Sequence, residues 1–241
     1  MKNSKADILT DMDGVLVHID HKWITKLYEN DKIKRFLDKN GKLELLESDI
    51  NNFSIQYRQD YSLNKHYGLD TDKEISDLAY SLYFDDPKFY DDLPTANYLD
   101  SLLMTQEYIN SITVISHTGL NTTNNATKSK VKWLVNHFKK FEKDINTKFI
   151  LCESSKPKSK CILENDLHFD SFVDDSPTVI QDVAANIGIK AYLKEFMIPV
   201  FGYNVYLKDE ILPHLSQRHN TKFIYFENHY TGAQLDTISK K

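Results

Sequence analysis

The chain predicts an α/β fold: a Rossmann-like doubly wound parallel sheet with a helical cap inserted between its first two motif strands. Three observations lead there. Short apolar or β-branched runs stop at turn-forming residues near positions 10, 115, 151 and 173. Helical apolar periodicity follows the later runs, at Val131, Leu134, Val135 and Phe138 and again at Val179, Ile180 and Val183; strands that alternate with helices assemble as a parallel sheet. The interval between the first two runs is far too long for a simple crossover and carries helical stripes of its own. The expected division is a catalytic core of residues 1–15 and 109–241 and a cap of residues 16–108.

The first strand, Ile8-Leu9-Thr10, leads into Asp11-Met12-Asp13-Gly14. Carboxylates two residues apart on a strand point the same way, and glycine lets the chain leave at an angle that other residues resist. Two acids so close stay ionised together only when a cation joins them. With Mg²⁺ present, Asp11 can serve as nucleophile and Asp13 as proton donor and acceptor. A calcium loop is excluded, because it needs a glutamate at loop position twelve, and counting from Asp11 that position is Lys22.

The cap follows. Trp23, Ile24, Leu27 and Tyr28, then Ile33, Phe36 and Leu37, then Ile75, Leu78, Ala79 and Leu82 form its stripes. Its aromatics, among them Tyr57, Tyr61, Tyr67, Tyr80, Tyr83, Phe84, Phe89 and Tyr90, read mostly as core, with one or two free to stack on a flat group. His18 and His21 read as exposed helix-start residues.

The second strand, Ile112 to Ile115, ends in Ser116, whose hydroxyl and following N–H are placed to hold a phosphoryl oxygen. The third, Lys148 to Leu151, precedes a junction with three candidate lysines, Lys156, Lys158 and Lys160, to neutralise the nucleophile and a bound phosphate; Lys158 and Lys160 are the preferred pair. Pro157 favours a helix start there. The fourth, Phe172-Val173, ends in Asp174-Asp175, hard oxygen ligands suited to Mg²⁺. The expected metal set is Asp11, Asp13, Asp174 and Asp175. The segment 221–226 reads as an additional strand in a tail, after Tyr203, of unread function.

The ordered set Asp11-x-Asp13, Ser116, a lysine at 156–160 and Asp174-Asp175 resembles the haloacid dehalogenase superfamily of phosphohydrolases over roughly residues 6–200. The resemblance implies that Asp11 forms an aspartyl phosphate, that Asp13 is the acid/base, that Ser116 and the lysine hold the phosphoryl group, and that the late acids hold Mg²⁺. The stretches Asp86-Pro87-Lys88-Phe89-Tyr90-Asp91-Asp92-Leu93-Pro94 and Lys130-Val131-Lys132-Trp133 look like the 5'(3')-deoxyribonucleotidase branch and its phage and bacterial relatives. Ser116-His117-Thr118 departs from it, where that branch more often has Thr-Ser-Pro. The implied reaction is Mg²⁺-dependent phosphomonoester hydrolysis. A 5'-nucleotide is one substrate class; another small phosphorylated metabolite and a nucleic-acid strand end are the alternatives.

Composition sets limits. At 241 residues with 41% apolar content, the chain can bury one good core with a modest second domain. No run approaches the roughly 18 apolar residues of a membrane span, and no apolar leader stretch is read at the start. A net charge of −5 argues against general nucleic-acid binding. Cys152 and Cys161 show no disulfide framework or metal spacing, so a reducing cytoplasm is expected. The expected partner is a small phosphorylated substrate.

Overall fold

A computed structural model describes residues 5–118, 125–187, 195–204 and 222–228. Six strands form one parallel sheet: β1 (Ala6–Thr10), β2 (Ile109–His117), β3 (Asn146–Cys152), β4 (Ser171–Val173), β5 (Glu195–Val200) and β6 (Lys222–Glu227). The strand order is β3-β2-β1-β4-β5-β6. Winding runs one way from β1 to β3 and the other way from β4 to β6. The reversal lies between β1 and β4, and parallel sheets open a crevice at the carboxyl ends of such a pair.

Alternation along the strands builds a core on each face. Ile8, Ile112, Val114 and Val173 join one apolar cluster, and Leu9, Ile115, Phe172 and Phe196 join the other. The second face is covered by α8 (Lys158–Glu164) and α9 (Pro177–Asn186). The first is covered by α6 (Asn97–Met104) and α7 (Asn125–Phe138), and its cluster continues into α1 (Asp20–Glu29), α2 (Asp31–Lys39), α3 (Leu43–Asn52), α4 (Leu63–His66) and α5 (Lys73–Phe84). Asn30 and Asp72 cap α2 and α5, each accepting two backbone N–H groups of the first turn.

Several expectations need correction. Helix α6 falls inside the expected cap, yet it packs on the sheet. The Tyr98 ring lies 5.1 Å from Phe226 on β6, and its N–H donates to Asn228 at 3.1 Å. The buried residues of α5 are Ile75, Ala79 and Tyr83, and Leu78 and Leu82 pack against the same cluster partly buried. Val135 is exposed and Lys130 is buried, so the inward face of α7 is Ala126, Lys130, Trp133, Leu134 and Phe138. His18 is buried and His21 half-buried, its ring stacked on Phe53. Cys152 and Cys161 form a disulfide, since the β3–α8 connection returns the helix beside its strand; the paired thiols remove the basis for reading a reducing compartment. The expected strand at 221–226 is β6, whereas 205–221 and 229–241 lie outside the described residues. No helix among the described residues is long and apolar enough to cross a membrane.

Candidate active site

Every strand-end motif residue meets at the β1/β4 crevice. The Asp11 N–H donates to Val173 O at 2.8 Å, which ties the end of β1 to the end of β4 and sets Asp11 beside Asp174. The chain then turns sharply, with the N–H groups of Val15, Leu16 and Val17 converging on Met12 O. Gly14 makes this turn possible. Its φ is +75°, and a Cβ there would lie 2.4 Å from Asp175 Oδ2, so a side chain is refused both by backbone conformation and by space.

Lys158 opens α8 and reaches across the crevice. Its Nζ lies 2.9 Å from Asp11 Oδ1 and 2.7 Å from Asp174 Oδ2, and its side chain is 2% exposed. Burial alone would lower the ammonium pKa, but Asp11 and Asp174 outweigh it and raise it. Burial likewise pushes Asp11 up, and Lys158 with Lys130 more than reverses that, so Asp11 stays below the usual carboxylate range. Asp174 is pushed up to about 6 by burial, with Asp11 adding to it and Lys158 offsetting only part. Asp175 is raised further, by burial and by the charges of Asp174 and Asp11.

Asp11, Asp174 and Asp175 therefore form an under-neutralised group. One oxygen of each can be chosen so that all lie within 4.8 Å of one another. Asp175 Oδ1 is buried with no hydrogen-bond partner, while Oδ2 accepts from the Tyr203 hydroxyl. Asp174 Oδ1 accepts the Ser176 N–H at 2.9 Å, which orients that carboxylate. A hard oxygen-only donor set with an orphaned buried acceptor fits a divalent cation such as Mg²⁺.

Asp13 stands apart from that trio, although it was expected among the ligands. Its Oδ2 accepts from Lys130 Nζ at 2.7 Å and from the Tyr83 hydroxyl at 3.1 Å, and its Oδ1 accepts from the Tyr90 hydroxyl at 2.7 Å. Lys130 also donates to Ser116 Oγ at 2.8 Å and to His117 O at 3.3 Å. Ser116, at the end of β2 and 2% exposed, thus lies next to the acid/base candidate. Lys160 does not reach the site: it is exposed, 3.9 Å from Glu164, because a helix turns consecutive residues by about 100° and so points Lys160 away from the side that Lys158 faces. Lys156 is also outward and pairs with Glu164.

Sequence reasoning gave no site role to Lys130, Arg58 or Tyr203, and read Tyr83 and Tyr90 only as cap aromatics, mostly core, not as partners of Asp13. A signal existed for Lys130, which occupies an inward position of the Ala126–Trp133–Leu134–Phe138 stripe. Arg58 had none; its guanidinium is buried, pairs with Asp20 and lies 4.5 Å over the Tyr203 ring. Asp11, Asp13, Ser116, Arg58 and Asp175 open onto one cavity of about 360 Å³, whose apolar wall includes Trp23, Tyr80, Tyr83 and Phe84.

No family model matches the chain, and no curated protein matches it. Among solved structures it is similar to a crystal structure of a dehalogenase, at 10% sequence identity and a TM-score of 0.41, over 100% of this chain and 98% of that one. At that similarity neither a family nor an activity passes to this chain.

Proposed function

We propose that this protein is a haloacid dehalogenase-type phosphohydrolase that cleaves phosphomonoesters through an aspartyl phosphate on Asp11. One observation carries the reading: the two carboxylates of the Asp11-x-Asp13 turn face one cavity but have different cationic partners, Lys158 for Asp11 and Lys130 for Asp13. Environments that differ in this way separate two neighbouring carboxylates into two roles.

The chemistry then follows in two displacements. An Asp11 oxygen attacks phosphorus as the bond to the leaving oxygen breaks, and Asp13 gives that oxygen its proton. Asp13 then takes a proton from water, the water oxygen attacks phosphorus, and the bond to Asp11 breaks to release inorganic phosphate. Lys158, Lys130 and the Ser116 hydroxyl supply preorganised donors where charge develops on the phosphoryl oxygens. Asp11, Asp174 and Asp175 would hold Mg²⁺, which when bound supplies further positive charge to the phosphoryl group. The need for an acid at Asp13 favours ester hydrolysis over dehalogenation, because an alkoxide leaves only with a proton.

For the substrate we favour a small molecule with a flat group, a nucleoside monophosphate in the first instance. The aromatic wall of Trp23, Tyr80, Tyr83 and Phe84 supports this choice over a sugar phosphate. The net charge of −5 counts against a nucleic-acid strand end. The test is a screen of phosphorylated metabolites with Mg²⁺, run beside Asp11→Asn. Phosphate release that needs both Mg²⁺ and Asp11 supports the reading. No release from any phosphomonoester, or release that survives Asp11→Asn, overturns it.

A further inference from the structure

We infer that Tyr83 and Tyr90 are positioning residues for proton transfer: they clamp the carboxylate of Asp13 so that it meets the leaving oxygen. The inference rests on the phosphohydrolase reading above and adds to it a role for a tyrosine pair from α5 and the segment after it.

The clamp is visible as geometry. The Tyr90 hydroxyl lies 2.7 Å from Asp13 Oδ1 and the Tyr83 hydroxyl 3.1 Å from Oδ2, and the two phenols are hydrogen-bonded to each other at 2.6 Å, so their two protons are shared among three contacts. Lys130 completes the grip on Oδ2. With both oxygens held from different directions, the carboxylate cannot rotate about its terminal torsion, which is otherwise broad for aspartate. The phenols are themselves immobilised. Tyr90 is fully buried, and its N–H donates to Ser129 Oγ at 3.2 Å. The Tyr83 ring is wedged against Trp23 at 5.2 Å, Phe84 at 4.4 Å and Phe89 at 4.7 Å.

A buried phenol needs a hydrogen-bond partner wherever it lies, so a merely structural pairing predicts something different. Loss of a structural contact would slow all substrates alike. Loss of proton-transfer geometry slows a substrate in proportion to its need for a proton. An alkyl phosphate leaves as an alkoxide and depends on Asp13, whereas p-nitrophenolate leaves with little help. The quantity to read is kcat/KM, which reports the steps through formation of the aspartyl phosphate and excludes the later water step shared by all substrates.

The experiment compares the full chain with Tyr90→Phe and Tyr83→Phe in saturating Mg²⁺, using p-nitrophenyl phosphate and the best-cleaved nucleoside or sugar monophosphate of the screen. Each variant keeps the ring and loses only the hydroxyl. The expected result is that the ratio of alkyl to aryl kcat/KM falls by about 10- to 100-fold in Tyr90→Phe, part of the 10²- to 10⁴-fold that a placed acid contributes. A smaller fall is expected in Tyr83→Phe, whose contact is longer. In an Asp13→Asn background, Tyr90→Phe should shift the ratio no further. If either folded variant slows both substrates by one common factor, or the ratio is unchanged in both, the clamp is structural and the inference is overturned. Should Tyr90→Phe not fold, Tyr83→Phe with its Asp13→Asn control decides alone. A wild-type protein inactive on every phosphomonoester overturns the phosphohydrolase reading, and this inference with it. An active wild type with an unshifted ratio overturns only the inference.

Discussion

The two sides of the cavity are built by opposite means. On the sheet side, Asp11, Asp174, Asp175 and Lys158 crowd charge together, all of them under a tenth exposed. On the helical side, Trp23, Tyr80, Tyr83 and Phe84 offer apolar area with a few hydroxyls. Buried charge is unforgiving, since taking a charge from water costs far more than any single contact returns unless each group is partnered. The sheet side is therefore specified by short motifs at fixed strand ends, where one misplaced acid would undo the set. The aromatic side is tolerant, because apolar packing accepts many arrangements of similar volume. On the proposed reading, the comparison separates the reacting acids, carried by the strand ends, from the helical side, which would choose the substrate and, through Lys130, Tyr83 and Tyr90, hold Asp13.

The sharpest way to break this division is at the proposed nucleophile. Asp11→Asn nearly preserves shape and should keep the fold, yet turnover should drop by at least about 10³-fold, on the order of 4 kcal/mol in the barrier. Steady-state kinetics on a purified, folded variant checks it. A next-largest effect is expected at Lys158. Lys158→Met leaves Asp11 and Asp174 without their shared ammonium, and breaking a buried pair from one side costs about 3–5 kcal/mol. Urea unfolding without metal should show that loss, and added Mg²⁺ should recover part of it.

Mg²⁺ itself sharpens the comparison through pH. With Asp174 pushed up to about 6, the folded protein holds a proton there that the unfolded chain, near 3.8, has lost. The extra proton is bound in the folded state between these values, so this group's contribution to stability declines as pH rises through that window. The charge exposed above pH 6 is what a cation relieves. The gain in melting temperature on adding Mg²⁺ should therefore be larger at pH 7.5 than at pH 5, by thermal scans at matched ionic strength. Asp174→Asn should shrink the difference between the two pH values. The smallest effect is expected at Lys160. Lys160→Ala removes an exposed charge with a loose partner and should change stability by no more than about 0.5 kcal/mol and activity hardly at all. A large loss there would mean that the junction reaches the cavity by a different lysine.

Much of the sheet side was legible in the sequence. Asp11, Ser116, Asp174 and Asp175 each follow a short apolar run, and the parallel-sheet inference alone sends such positions to one edge. The lysine was narrowed to three candidates and no further, because spacing within a junction does not say which residue starts the helix. Once α8 begins at Lys158, the helical turn excludes Lys160, and Lys156 lies outside the helix with its side chain paired to Glu164. Helix α6, within the expected cap, packs against β6, and its amphipathic pattern alone could not say which of two apolar surfaces it would cover.

By itself, then, the sequence determined the alternation of strands and helices, the parallel sheet and the acids at its strand ends, though not the strand β5. Those follow from local signals, namely periodicity, turn residues and charge, that act within a few residues. Only the tertiary structure decided that Asp13 belongs with Lys130 and two phenols and not with the other acids, and that Cys152 meets Cys161. Tyr83 and Tyr90 come to Asp13 from 70 and 77 residues away. The partner of a buried polar group is set by whichever donor the packing brings within reach, and no local pattern of the chain carries that distance.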